Sequence, residues 1–245
     1  MSGARVLVVE HQGNAGLGLV GARVAAGGVD LEVVGPDAGA ELPASLDGFD
    51  GLIVLGGAMG PTDDDAAPWL PSTRRLLADG VARGIPTLGI CLGAQLLATA
   101  TGGRVRTAVD GPEVGLHTVS FDAGAAGDPL FGGLAGAEVP AVQWHYLEAG
   151  ELPAGARLLA SSPVCRNQAF RVGEAAWGVQ FHPEALGGTA QDWVEEDRQG
   201  VADLGLDEEA LVAEVRAAEP ELSRVWGAVA DRFAALASDR VRASV

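Results

Sequence analysis

Cys91 stands in the run Thr87-Leu88-Gly89-Ile90-Cys91-Leu92-Gly93-Ala94-Gln95-Leu96-Leu97, with a glycine two residues before it and another two residues after. An apolar stretch of strand length leads into the cysteine and an apolar helix-like stretch leads away. This is the pattern of a nucleophile elbow. The glycines remove side chains that would clash in the tight turn, the sulfur sits exposed at the carboxyl edge of a sheet, and the N-terminal end of the next helix favours an anionic sulfur. A cysteine so placed can form a thioester with an acyl substrate. The other cysteine, Cys165 in Ser161-Ser162-Pro163-Val164-Cys165-Arg166, has no such setting and reads as a loop thiol. A disulfide between the two would need an oxidising compartment, so both are read as free thiols.

A nucleophilic cysteine needs a base, and the histidines are His11, His117, His145 and His182. His182 follows the strand-like Trp177-Gly178-Val179-Gln180-Phe181 and precedes Pro183-Glu184. A spacing of two on an extended chain puts His182 and Glu184 on the same side, so one short segment supplies a base and the carboxylate that fixes its tautomer. A third segment, Val54-Leu55-Gly56-Gly57-Ala58-Met59-Gly60-Pro61, ends a strand in a glycine-rich loop without lysine. Its free N–H groups, with that of Leu92, suit an oxyanion hole. The histidines and cysteines show no zinc-ligand spacing, and a cysteine–histidine pair needs no metal, so no metal and no cofactor is expected.

These residues must be carried by a scaffold. Strand-like runs occur at Val6–Val9, Leu31–Val34, Gly51–Leu55 and Thr87–Ile90, with helix-like segments at Gly16–Ala26, Ser72–Arg83 and Leu92–Thr101 among them. Alternation of this kind predicts an α/β fold with a mostly parallel central sheet. Between Gly103 and Phe181 strands dominate (Val114–Phe121, Val139–Gln143, Arg157–Ala160, Gln168–Val172, Ala176–Phe181), predicting an antiparallel edge. Beyond lies an Ala/Glu/Arg-rich tail read as helices at Thr189–Val201, Asp207–Ala218 and Glu221–Ala237, with Asp207 as an N-cap and Pro220 in the first turn of the last. The expected division is a catalytic domain over 1–188 and a helical extension over 189–245, packed on the same domain or on a partner.

The formal charge of −17 opposes phosphate backbones, and the sixteen basic residues, all arginine, are scattered, which argues against nucleic-acid binding. Without lysine, a P-loop cannot be built. The N-terminal run lacks the form of a signal peptide, and no apolar stretch reaches membrane-spanning length, so a soluble cytoplasmic protein is expected.

Gly89-Ile90-Cys91-Leu92-Gly93-Ala94-Gln95, Gly178-Val179-Gln180-Phe181-His182-Pro183-Glu184 and the Gly56-Gly57 loop together resemble the signatures of the class I, triad-type glutamine amidotransferases. The resemblance covers roughly Ala4–Glu184. It implies a flavodoxin-like α/β fold with helices on both faces of the sheet and a γ-glutamyl thioester. By the same resemblance Cys91 is the nucleophile, His182 the base and Glu184 its orienting carboxylate. Gly57 and Leu92 would be the oxyanion donors, and Gln95 would hold the α-carboxylate or α-amino group of the substrate. Trp144, His145 and Tyr146 fall in Gln143-Trp144-His145-Tyr146-Leu147-Glu148, a segment expected to line the substrate pocket. There Tyr146 and Leu147 replace the family's usual glycine and acidic residue, and His145 is read as a structural pocket residue. Glu113 falls on a loop that lines the pocket in relatives. The implied reaction is hydrolysis of a γ-glutamyl amide such as glutamine. The chain resembles stand-alone members, so two readings stay open: supply of ammonia to a synthetase or aminating partner, and self-sufficient hydrolysis of γ-glutamyl peptides or amides. A non-catalytic regulator is disfavoured by the intact Cys91, His182 and Glu184, and a homo-oligomer is compatible with the sequence.

Overall fold

In the computed structural model, which describes residues 3–243, the first apolar run forms β1 (Arg5–Val9). Val6 and Val8 enter one hydrophobic cluster and Leu7 and Val9 another, as expected of a strand buried on both faces. The chain continues through α1 (Gly18–Ala26), β2 (Asp30–Val34), β3 (Gly51–Val54), α2 (Leu70–Ala82), β4 (Thr87–Ile90) and α3 (Leu92–Ala100). Then come β5 (Arg104–Thr107), β6 (Glu113–Phe121), β7 (Glu138–His145), β8 (Leu147–Glu151), β9 (Arg157–Ser161), β10 (Ala169–Val172) and β11 (Ala176–Val179). Three helices close the described chain: α4 (Gly187–Glu196), α5 (Arg198–Asp203) and α6 (Glu208–Ala243).

Nine strands form one sheet in the order β2-β1-β3-β4-β11-β10-β9-β6-β7. Pairing is parallel from β2 through β11 and antiparallel beyond. Helices α1, α4 and α6 share one cluster with Val6 and Val8, while α2 and α3 share the other with Leu7 and Val9, so the sheet is covered on both faces. The expected flavodoxin-like α/β arrangement is therefore present. A separate two-stranded sheet of β5 and β8 was not foreseen from the sequence. Its cross-strand contacts include Arg104–Glu151 and Arg106–Glu148 ion pairs, at 3.7 and 2.7 Å, so it lacks the apolar alternation that marks a strand.

The tail differs from expectation in two respects. The two predicted helices around Pro220 are a single helix, α6, and Pro220 lies inside it rather than in a first turn. An interior proline removes one hydrogen bond and disfavours the helix by about 3 kcal/mol. The helix persists because both sides of the proline are anchored: Leu211, Val212 and Val215 before it and Leu222, Val225 and Trp226 after it are all buried in the same cluster. Pro220 itself faces solvent, where water can satisfy the freed carbonyl. Asp207 caps this helix as expected, its Oδ1 accepting from the Ala210 N–H at 2.8 Å. The expected helix Thr189–Val201 is two helices that break at Asp197. Among the described residues no helix is long and apolar enough to cross a membrane.

Trp226 is fully buried, with its ring centroid 4.7 Å from that of Phe181 and its Nε1 donating to the Pro140 carbonyl at 3.0 Å. Trp226→Ala should lower the free energy of unfolding by about 3–5 kcal/mol. Urea denaturation followed by far-UV circular dichroism measures it, and a loss below about 1 kcal/mol would contradict this account of α6.

Candidate functional site

Strands β3, β4 and β11 are parallel neighbours, so the chain leaves all three at one edge of the sheet. Val179 pairs with Ile90, and the Cys91 N–H donates to the Val179 carbonyl at 2.8 Å. Cys91 thus comes level with Gln180, the residue after β11, and close to His182. The glycine-rich loop after β3 enters the same place: a methyl group on Gly56 would lie 3.0 Å from His182 Cε1 and 3.7 Å from Cys91 Cβ. A second tie comes from the antiparallel side, where the His182 N–H donates to the Val142 carbonyl at 2.8 Å and draws residues 144–147 to the site.

Cys91 takes φ +50° and ψ −103°, and among the described non-glycine residues it alone has a positive φ. A backbone in such a region costs of order 1–3 kcal/mol and persists only where its surroundings enforce it. Here a side chain on Gly89 would lie 2.5 Å from the Gly93 carbonyl oxygen, and one on Gly93 would collide with the Val54 carbonyl. The two glycines thus let the turn close against α3 and β3.

His182 is buried, and its Nδ1 lies 2.6 Å from Glu184 Oε1. Its other ring nitrogen, Nε2, has no protein partner although it too is buried. Burial works against a charged imidazole, but the Glu184 carboxylate and the Cys91 sulfur outweigh it and raise the His182 pKa to about 10. The Trp193 ring from α4 meets the imidazole edge-on with centroids 4.5 Å apart. The Cys91 thiol points toward the Trp144 carbonyl at 3.8 Å and accepts from Gln180 Nε2 at 3.6 Å.

Gln180 is held in turn. Gln95 Nε2 donates to Gln180 Oε1 at 3.3 Å and to the Leu147 carbonyl at 3.1 Å. Both amide hydrogens of Gln95 are therefore engaged by the protein, which leaves the side chain an acceptor toward the pocket. The Leu147 carbonyl also accepts from His145 Nδ1 at 3.1 Å, and His145 Nε2 lies 3.1 Å from Glu113 Oε2. Ser162 and Gln168 complete the shell of Glu113, at 2.7 and 2.6 Å. Burial alone would raise the Glu113 pKa, but the hydrogen bonds from His145 and Ser162 bring it below the usual carboxylate value. A continuous chain of hydrogen bonds thus runs from Glu113 through His145, Leu147, Gln95 and Gln180 to the sulfur.

A cavity of about 400 Å³ opens over Cys91, lined by Gly57, Gln95, Trp144, His145, Tyr146 and His182 among others. Cys91, His182 and these five expected site residues are brought together, with Glu184 behind His182. Leu92 contributes no lining surface; its side chain packs beneath Gly57. His145 borders the cavity with both ring nitrogens already taken by the protein. The other histidines are elsewhere employed: His117 contacts the Val114 carbonyl, and His11 accepts from Trp69 Nε1 while burial pulls its pKa down to about 4.

Cys165 and Cys91 are both unpaired. Burial, helped by Glu148, pushes the Cys165 thiol far up, so it stays protonated. Its sulfur lies with Glu113 and His145 in a buried group whose donor atoms are within 4.8 Å of one another, a proximity that chain spacing does not reveal. Sequence reasoning also missed Gln180, Gln12, Glu196 and Asp197. The signal for Gln180 was present, since it is the polar residue between β11 and His182. Glu196 and Asp197 carried none, because they look like any solvated helix end.

A family model described as Glutamine amidotransferase class-I matches residues 19–198. The chain is 32% identical over 143 residues to gamma-glutamyl peptidase 3 of Arabidopsis thaliana, a match covering 57% of this chain and only 56% of the plant protein. It is 36% identical over 158 residues to a glutamine-hydrolysing GMP synthase subunit of Thermoplasma acidophilum, covering 64% of this chain and 72% of that one. A solved glutamine amidotransferase from Thermotoga maritima superposes with a TM-score of 0.83 at 26% identity, over 94% of this chain and 98% of its own. The match over most of the length, joined to the cysteine elbow and the His182–Glu184 pair at one sheet edge, makes the chain a member of the class-I glutamine amidotransferase family.

Proposed function

We propose that this protein hydrolyses a γ-glutamyl amide bond, with Cys91 as nucleophile, His182 as general base and acid, and Glu184 as the group that orients and charges His182. The observation that carries the reading is the strained elbow of Cys91 beside an imidazole whose Nδ1 is held at 2.6 Å by a buried carboxylate. With the proton of the pair already resting on His182 Nε2, the sulfur adds to the γ-carbonyl carbon. The resulting oxyanion meets the N–H groups of Gly57 and Leu92. As the tetrahedral adduct collapses, His182 returns the proton to the leaving nitrogen, the C–N bond breaks and an amine departs. Water then attacks the thioester, one proton going to His182, and expulsion of the sulfur restores the cysteine–imidazolium pair and releases the γ-carboxylic acid, which ionises in water. The donation from Gln180 holds the sulfur in place.

A second reading, self-sufficient hydrolysis of substituted γ-glutamyl amides, is favoured by Tyr146 and Leu147. Tyr146 OH donates to Asp197 at 2.8 Å, so the phenol forms a fixed part of the pocket wall. The likeness to a gamma-glutamyl peptidase fits this reading, and the likeness to a GMP synthase component fits an ammonia supplier with a synthetase partner.

Amine release from glutamine and from a panel of γ-glutamyl amides tests the reaction. Cys91→Ala should abolish turnover, by roughly 10⁴-fold or more, with the circular dichroism spectrum unchanged. Residual activity near the wild-type rate would refute the assignment. Gln180→Leu should lower kcat by about tenfold, the worth of one hydrogen bond to the sulfur; an unchanged kcat would remove Gln180 from the machinery.

The raised pKa of His182 also fixes a stability profile. The unfolded imidazole loses its proton near 6.5 and the folded one near 10. The stabilisation is therefore complete below about pH 6.5 and is lost as pH rises through about 10. The gap in unfolding free energy between wild type and Glu184→Gln should be widest between about pH 5 and 6.5 and should narrow toward pH 10. Denaturant titrations across that range measure it, and a gap that widens with pH would reverse the argument.

A further inference from the structure

Two carboxylates, Glu196 and Asp197, line the cavity above Cys91, and neither an arginine nor a lysine joins them. Among the described residues neither carboxylate has an ion-pair partner; Arg198, next in the chain, is bound instead to Glu208 at 2.7 Å. Asp197 is nevertheless fixed. Its Oδ2 accepts from Tyr146 OH at 2.8 Å and from Trp144 Nε1 at 3.2 Å, two neutral donors that orient the carboxylate and leave its charge uncancelled. Asp197 is half-buried at the break between α4 and α5, the position that aims it across the cavity at the residues following β7. Glu196 accepts from the side chain of Asn14, again a neutral donor.

One further polar group of the wall has the same sense. Gln95 has spent both amide hydrogens on Leu147 and Gln180 and offers an acceptor. The floor bears an unpartnered polar atom, Nε2 of the buried His182, marking where the reacting group lies. The cavity therefore combines a reaction centre at its base with an acceptor-rich, negatively charged wall, and the phenol of Tyr146 is kept protonated as a donor by burial and by Asp197 itself, its pKa pushed up to about 12. A carboxylate on the substrate would meet repulsion there, and a cation would meet an oriented counter-charge.

We infer that Asp197, supported by Glu196, is an ammonium-binding subsite, so that the substrate presents a primary ammonium group to this wall while its γ-carbonyl lies at Cys91. This deepens the reading of the site as a γ-glutamyl amide hydrolase and rests on it. The ammonium has two possible sources on such a substrate: the α-amino group of the glutamyl moiety, or a second amine on the leaving group, as in a mono-γ-glutamyl diamine. In either case a leaving group that carries a carboxylate is disfavoured.

The test compares four amides of matched length: γ-glutamyl derivatives of a simple alkylamine, of a diamine and of an ω-amino acid, and the glutaryl amide of the alkylamine, which lacks the α-amino group. Each is assayed for kcat/KM with wild type and Asp197→Asn, which keeps the acceptor for Tyr146 and Trp144 and removes the charge. Loss of a charge-assisted contact should appear as a drop of roughly tenfold or more in kcat/KM, carried by KM. If the α-ammonium is the ligand, the variant loses activity on the γ-glutamyl amides and not on the glutaryl amide. If the leaving amine is the ligand, the variant loses the wild-type preference for the diamine alone. Equal effects of Asp197→Asn on all four amides would overturn the subsite.

Binding of the same amides to Cys91→Ala and to Cys91→Ala/Asp197→Asn, by calorimetry, separates the subsite from the chemistry. A charge-selective loss of affinity without wild-type turnover would leave the subsite standing and sink the hydrolase reading. Turnover without charge selectivity in either assay would do the reverse.

Discussion

The parallel pairing of β4 with β11 is the constraint on which the site depends. These strands are neighbours in the sheet although about ninety residues separate them in sequence, and the hydrogen bond from the Cys91 N–H to the Val179 carbonyl fixes their register at the edge. Slipping the pairing by one residue would turn every side chain to the opposite face. Gln180 would then no longer face the sulfur and His182 would leave the cavity. Both strands are fully buried, with cores on the two faces that specify the register, so the alignment of Cys91 with His182 is a by-product of hydrophobic packing.

On this base the polar groups are arranged in two sets with different tasks. Glu184 and Cys91 flank His182 and together raise its pKa. Glu113, His145, Gln95 and Gln180 form a line of hydrogen bonds that ends at the same sulfur. Low dielectric strengthens both sets and makes any unpaired member expensive. The strain at Cys91 is small beside the packing that surrounds it, which is why a single residue can be held in a region of backbone space that side chains avoid.

Much of this was legible in the chain. The glycines around Cys91, the His182–Glu184 spacing and the alternating apolar runs are local patterns, and local patterns are what periodicity and spacing record. The continuity of α6 through Pro220 was not legible, because it is imposed by burial of Leu211 and Trp226 against a sheet formed by distant residues. The same holds for the β5–β8 ribbon, which is joined by ion pairs, and for Asp197, whose place at the cavity depends on where α4 ends. That both amide hydrogens of Gln95 face inward was not legible either, since residue type does not reveal it.

The family-matched span ends at residue 198, ten residues before α6 begins. Yet the ring that backs Phe181, the immediate neighbour of His182, belongs to Trp226 on that helix. In this chain the span that the family model covers is therefore not portable. Transplanted without α6, it would expose the underside of its own imidazole-bearing segment, and any host architecture would have to provide a substitute apolar lid there before the segment could hold its shape.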